Sequence, residues 1–148
     1  MSVLIRLYSA ICFLMAGVII GLGYVAAYAK FNATKPDLTE LLEVGRNQFS
    51  ALHLIEWIVI PILLMFGCFI SNQLRFLSIV MAVLFLVQMF VILPSLDDRM
   101  ARAISGGSMP GSNLHLYYVA VSFLQVIGLT VCGLLSMGTG ITQTHSSS

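Results

Sequence analysis

The chain is 148 residues long, with 59% hydrophobic and only 9% charged residues, and its mean hydropathy is +0.99. A soluble domain is about one quarter charged, so this composition excludes a soluble enzyme or carrier and points to a multispanning membrane protein. The formal net charge of +1 excludes nucleic-acid binding, which needs a basic face.

A membrane-crossing helix needs ~20 mostly apolar residues. Four stretches qualify: residues 7–29, 51–70, 77–93 and 115–137. They leave room for no soluble domain, so residues 1–148 read as one all-α domain, a four-helix transmembrane bundle in a bacterial inner membrane. Arg6 and the small-residue run Ala27-Tyr28-Ala29 give the first span a signal-peptide look. Its apolar core exceeds the ~7–15 residues of a signal peptide, however, and it is read as a retained helix. Gly17 and Gly21 share one helix face and let another helix approach, within the bundle, on a neighbouring subunit or on a second copy. Plain packing, with Tyr24 and Tyr28 at the interface, accounts for the same residues.

In the first connection, Pro36 with Asp37 reads as a helix start. Leu38, Leu41, Leu42, Phe49 and Leu52 then recur at helical spacing, with Glu40, Glu43, Arg46 and Asn47 between them. This pattern predicts a short amphipathic helix between spans one and two, lying on the bilayer surface or capping the mouth of the bundle. Ser71 to Arg75 form a tight polar turn, and the third span is expected to stop at Pro94. The first half of the polar passage beyond it could continue as a helix through Asp97, Asp98, Arg99 and Arg102, until Gly106-Gly107 and Pro110-Gly111 break it. The tail from Gly138, with His145, is polar and expected to be loose. Cys12, Cys68 and Cys132 lie in apolar spans without zinc or CxxC spacing, and read as small packing residues before a soft-metal site.

His53 and Glu56 are the residues that an apolar span does not explain. Three apart, they share a helix face, and ionisable groups inside a span are costly and functional by default. Antiparallel topology brings Asp97, Asp98, Arg99, His115, Tyr117 and Tyr118 to the same leaflet. His115, Tyr118, Ser122 and Gln125 follow helical spacing along one side of span four, and Gln88 on span three is positioned to meet Gln125. Three chemistries fit this set. His53, Glu56, Asp97 and His115 offer mixed nitrogen and oxygen ligands for a transition metal, with Arg99, Tyr118 and Gln125 as supporting partners. His53 and His115 alone would suit one b-type haem. Glu56 could instead exchange protons through the histidines as part of a carrier. The structural alternative is a packing lock, in which Arg99 or Arg46 holds Glu56 and the aspartates pair with neighbouring arginines. An aromatic-rimmed pocket for a quinone or lipid tail would share the same sequence signature.

The stretch from Phe31 to Trp57, with Gly45 and Phe49 leading into span two, Pro94 ending span three and His115 opening the last, resembles a family of small four-span membrane proteins of unknown function. That group includes a mammalian protein linked to platinum-drug resistance. The resemblance implies the four-span architecture and lends no activity, cofactor or site residue. No catalytic triad, phosphate loop or nucleotide fingerprint is present, so whether the chain is an enzyme stays open, as does an accessory role inside a larger membrane complex. Lys30, Lys35, Arg46, Arg99 and Arg102 flank one membrane face, against Arg6 and Arg75 on the other. The positive-inside rule then places both long loops in the cytoplasm and both termini outside, whereas the signal-like N-terminus argues for the opposite orientation.

Overall fold

The apolar stretches fold into long helices. A computed structural model describes residues 3–32, 38–107 and 113–145. In chain order these are α1 (Val3–Val18), a wide π-helical segment π1 (Ile19–Val25), α2 (Ala26–Asn32), α3 (Leu38–Ile70), α4 (Asn72–Val87), a second π segment π2 (Gln88–Ile92), α5 (Leu93–Ile104) and α6 (Leu114–His145). Four of the resulting rods are long and apolar enough to cross a membrane: Val3–Ala29, Glu40–Ile70, Asn72–Ile104 and Leu114–Gly138. The protein is an all-α four-helix bundle and an integral, multi-pass membrane protein. Phe69, Phe76, Phe90, Leu14 and Leu54 point outward and exposed, as lipid-facing side chains do in a bilayer. The predicted helix start at Pro36-Asp37 and the break at Pro110-Gly111 lie outside the described residues, as does the side chain of His145.

Two boundaries differ from those expected. The amphipathic stretch after residue 38 is not a separate surface helix. It forms the first turns of α3, a continuous helix of 33 residues, about 50 Å long at 1.5 Å per residue and so longer than the ~30 Å hydrocarbon layer. Its apolar residues Leu42 and Phe49 pack on Ile92, Leu96, Met100 and Tyr118. They cap the bundle mouth instead of lying on lipid. The third rod also runs past Pro94 to Ile104. A proline inside a regular helix collides with the carbonyl four residues back, but here the wide π2 turn comes just before it. Leu93 N–H reaches back five residues to the Gln88 carbonyl, and this looser turn accommodates the ring. The rod ends where glycine permits it. Gly106 has φ of 81°, and Gly106 N–H and Gly107 N–H donate to the carbonyls of Ala103 (3.1 Å) and Arg102 (2.9 Å), the paired bonds of a Schellman cap.

α3 and α4 are joined through Ser71 alone, whose hydroxyl accepts from Leu74 N–H at 3.2 Å. The close helix crossings use other glycines than the expected pair. A Cβ added at Gly67 would sit 2.7 Å from Ser78 Oγ and 3.1 Å from the Leu74 carbonyl oxygen, and one at Gly133 would sit 2.8 Å from the Phe13 ring. A Cβ at Gly17 or Gly21 would meet nothing within 4 Å, so among the described residues no helix packs closely on either glycine. The main core gathers Tyr8, Met15, Ile19, Leu63, Met81, Phe85, Leu129 and their neighbours. Tyr8 shares a 2.8 Å hydrogen bond with Ser78, and Ser9 Oγ donates to the Gly133 carbonyl at 3.1 Å, tying α1 to α4 and α6. Cys12 and Cys132 are buried in this core and Cys68 is exposed, all three as free thiols.

Candidate functional site: a buried polar chain behind a mouth cavity

From α3, His53 and Glu56 face the interior of the bundle and are 2% and 1% exposed. His53 Nδ1 lies 2.6 Å from Glu56 Oε2, and His53 Nε2 lies 3.3 Å from the Tyr118 hydroxyl on α6. The imidazole is therefore engaged at both nitrogens. Its ring stands edge-on to Tyr118, with centroids 5.9 Å apart, and leans against Phe85 at 6.2 Å. Phe49 covers the other side of Tyr118 at 4.7 Å. Aromatic packing thus fixes the plane in which the histidine bonds.

The chain continues along α6. Ser122, one turn on from Tyr118, is likewise buried, at 4% exposed. Gln88 opens π2, and its Nε2 donates to Ser122 Oγ at 2.7 Å and to the Tyr118 carbonyl at 3.3 Å. A backbone carbonyl can only accept, so the amide nitrogen must face it and the amide orientation is fixed. Gln88 Oε1 is then left buried without a hydrogen-bond partner among the described residues. Burying a polar atom unpaired is costly, which makes Gln88 the strained member of the chain. Gln125 is also buried, at 2%, but Gln88 bonds to Ser122 and the Tyr118 backbone and not to it.

The metal and haem expectations meet a different geometry. Among the described residues, no three His, Cys, Asp or Glu side chains come together as a metal site. Asp97 is not beside His53. Both of its carboxylate oxygens are held by Arg46, at 2.6 and 2.9 Å, in an exposed two-pronged pair. His115 is exposed at the mouth, and the buried His53 already uses both nitrogens, so the two do not present a pair of axial ligands. Glu56 is held by His53, in place of the Arg46 or Arg99 partner expected of a packing lock. Arg102 Nε bonds the Asp98 carbonyl at 3.2 Å. Tyr28 and Tyr117 are exposed, as interfacial aromatics are.

Beside this polar chain lies a cavity of about 240 Å³ between π1, α2, α3, α5 and α6. Leu22, Ala27, Leu42, Phe49, Leu96 and Met100 supply most of its apolar wall, and Gly23 and Gly45 leave it room. Its polar side chains are Tyr24, Gln48, His115, Tyr118 and Ser122. The wide turns place two of these contacts. Tyr24, in π1, donates its hydroxyl to the Val119 carbonyl at 3.1 Å, and Gln48 Nε2 donates to the Leu22 carbonyl, also in π1. Such wide turns recur at functional sites. The sequence located His53, Glu56, Tyr118, Ser122 and Gln88, the last with Gln125 as its expected partner in place of Ser122, but gave no sign of Gln48 or of the π turns, because a single extra residue in a turn leaves the apolar pattern nearly unchanged. Comparison with protein-family models, with curated proteins and with solved structures yields no match.

Proposed function

We propose that this small polytopic membrane protein binds an uncharged, amphipathic, lipid-soluble molecule in the mouth cavity. The supporting observation is the wall itself. It is largely apolar, it carries a handful of hydrogen-bonding side chains, and no Asp, Glu, Lys or Arg stands among its described lining residues. Ligand pockets have this composition. Among the described lining residues a carboxylate or phosphate head finds no lysine or arginine, and a cation finds no carboxylate. The volume equals about eight waters at ~30 Å³ each. This suffices for one ring or a short chain, with the remaining tail left in the bilayer.

A proton carrier is the weaker reading. The polar chain from Glu56 ends at Gln88, a carboxamide, which is a poor proton relay, and the main core around it is apolar. A metal or haem function lacks a converging set of ligands among the described residues. An accessory role in a larger complex is compatible with ligand binding and gains no separate support from the Gly17 and Gly21 face.

Purified protein, extracted with organic solvent and analysed by mass spectrometry, tests the reading against a Gly23→Leu variant. Gly23 lines the cavity and its added Cβ would meet nothing within 4 Å, so leucine fills the space without overpacking. A neutral lipid-soluble compound retained by the wild type and lost from the variant is the expected result. Equal retention by both proteins would overturn it.

A further inference from the structure

We infer that a lipid-soluble guest enters the mouth cavity sideways, from a groove between α3 and α5 that faces the bilayer, and that Met100 is the side chain that parts to admit it. The inference rests on the ligand-binding reading above and adds the route and the place of the guest's apolar tail.

The seam between α3 and α5 has a hollow on each side. Leu42, Gly45 and Phe49 of α3, with Leu96 and Met100 of α5, border the mouth cavity. Arg46, Phe49 and Ser50 of α3, with Leu93, Asp97 and Met100 of α5, border a second hollow, also of about 240 Å³. Neighbouring positions on a helix face different ways, so one seam supplies a wall to both. Phe49 and Met100 are the described residues that line both hollows, and they form the partition. These two are not equally fixed. The Phe49 ring packs on Tyr118 at 4.7 Å, which holds it in place. Met100 is unbranched, with three rotatable bonds, and such a side chain shifts without moving its backbone.

The outer hollow has the profile of a membrane boundary. Its polar end is the exposed Arg46–Asp97 pair, just outside the apolar stretches of spans two and three. Its apolar side includes Met89, Leu93 and Pro94. One helical turn deeper than Ser50 and Pro94 stand Leu54 and Phe90, both exposed, so the groove opens onto the lipid-facing surface. Molecules with one polar and one apolar end concentrate at this depth of a bilayer. When Met100 swings aside, the head group passes into the mouth cavity and the tail stays in the groove.

The test measures access to a cysteine in the cavity. Gly23→Cys lines the mouth cavity and not the groove, at a position where an added Cβ meets nothing within 4 Å. The full chain, with its native thiols replaced, is held in lipid nanodiscs. It is labelled with uncharged N-phenylmaleimide, which comes from the bilayer, or with a small sulfonate-bearing methanethiosulfonate, which comes from water. Two further substitutions act on the route. Ser50→Trp fills the groove at an exposed position outside the cavity, and Met100→Ala removes the partition. Ser50→Trp should slow N-phenylmaleimide about threefold or more, and Met100→Ala should speed it about threefold to tenfold, the range set by displacing one side chain from its rotamer. The sulfonate reagent should react at an unchanged rate in both, and circular dichroism confirms that each variant is folded. An unchanged N-phenylmaleimide rate in either variant, an equal change with both reagents, or no labelling by N-phenylmaleimide overturns the lateral route. None of these outcomes touches the binding reading, because solvent extraction measures what is retained and not how it entered.

Discussion

At the scale of single residues, the two carboxylate pairs at the mouth make a controlled contrast. Glu56 is 1% exposed and bonded to a histidine that is 2% exposed. Removing it leaves His53 Nδ1 without its partner where water does not reach. Glu56→Ala should therefore lower stability by about 1–3 kcal/mol, the cost of an unsatisfied buried group. Asp97, although bonded through both oxygens to Arg46, has a side chain 36% exposed beside one 49% exposed. Solvent screens such pairs, and Asp97→Ala should change stability by no more than about 1 kcal/mol. Denaturant unfolding in detergent, followed by the loss of helical signal, measures both. Equal effects would mean that burial does not distinguish the pairs. Glu56 was conspicuous in the sequence as a carboxylate within an apolar span. That its partner is the histidine one turn away was also available from the three-residue spacing. The pairing of Asp97 with Arg46 was not, because it depends on α3 reaching beyond the membrane to meet α5.

At the scale of elements, the glycines divide by what stands opposite them. Gly67 packs against Ser78 and the Leu74 backbone, and Gly133 against the Phe13 ring. The carbonyl near Gly67 cannot move aside without disturbing α4, so Gly67→Ala should cost about 1–3 kcal/mol, in the range of overpacking. Gly17 has open space around its Cβ and lies inside α1. Gly17→Ala should be neutral or should stabilise the chain by up to about 1 kcal/mol, because glycine is the poorer helix former. Thermal unfolding of the two variants side by side decides this. Similar losses would show that Gly17 has a contact outside the single chain. The spacing of Gly17 and Gly21 marked them as packing residues, whereas Gly67 and Gly133 belong to no such motif. Small-residue motifs report which helix faces permit approach, and the fold decides which of them is used. Pro94 shows the same limit. Proline ends a helix in most settings, but an unrecognised wide turn before it cancelled that rule. The four apolar spans themselves were legible because ~20 consecutive apolar residues have few other solutions.

At the scale of the whole molecule, polarity is unequally divided between the two ends. The end of α2, the start of α3, the end of α5 and the start of α6 meet at the mouth, and the buried chain and the cavity lie near it. The opposite end has the single-residue turn at Ser71 and the start of α1. Charge follows the same division, with Arg46, Arg99 and Arg102 near the mouth and Arg6 and Arg75 near the turn, and the sequence adds Lys30 and Lys35 between the first two spans. Loops rich in lysine and arginine remain in the cytoplasm, so the mouth should open on the cytoplasmic side. Single cysteines in a background with the three native thiols replaced by serine test this directly. Arg102→Cys and Gln73→Cys both lie at exposed positions, one at each end. In intact cells a membrane-impermeant maleimide should label Gln73→Cys at once and Arg102→Cys only after permeabilisation. The reverse pattern would invert the protein, and the ligand would then enter its cavity from the outer leaflet. The outcome also bears on the proposed guest: with the predicted orientation, a lipid-soluble ligand of the kind proposed would reach the cavity from the cytoplasmic leaflet.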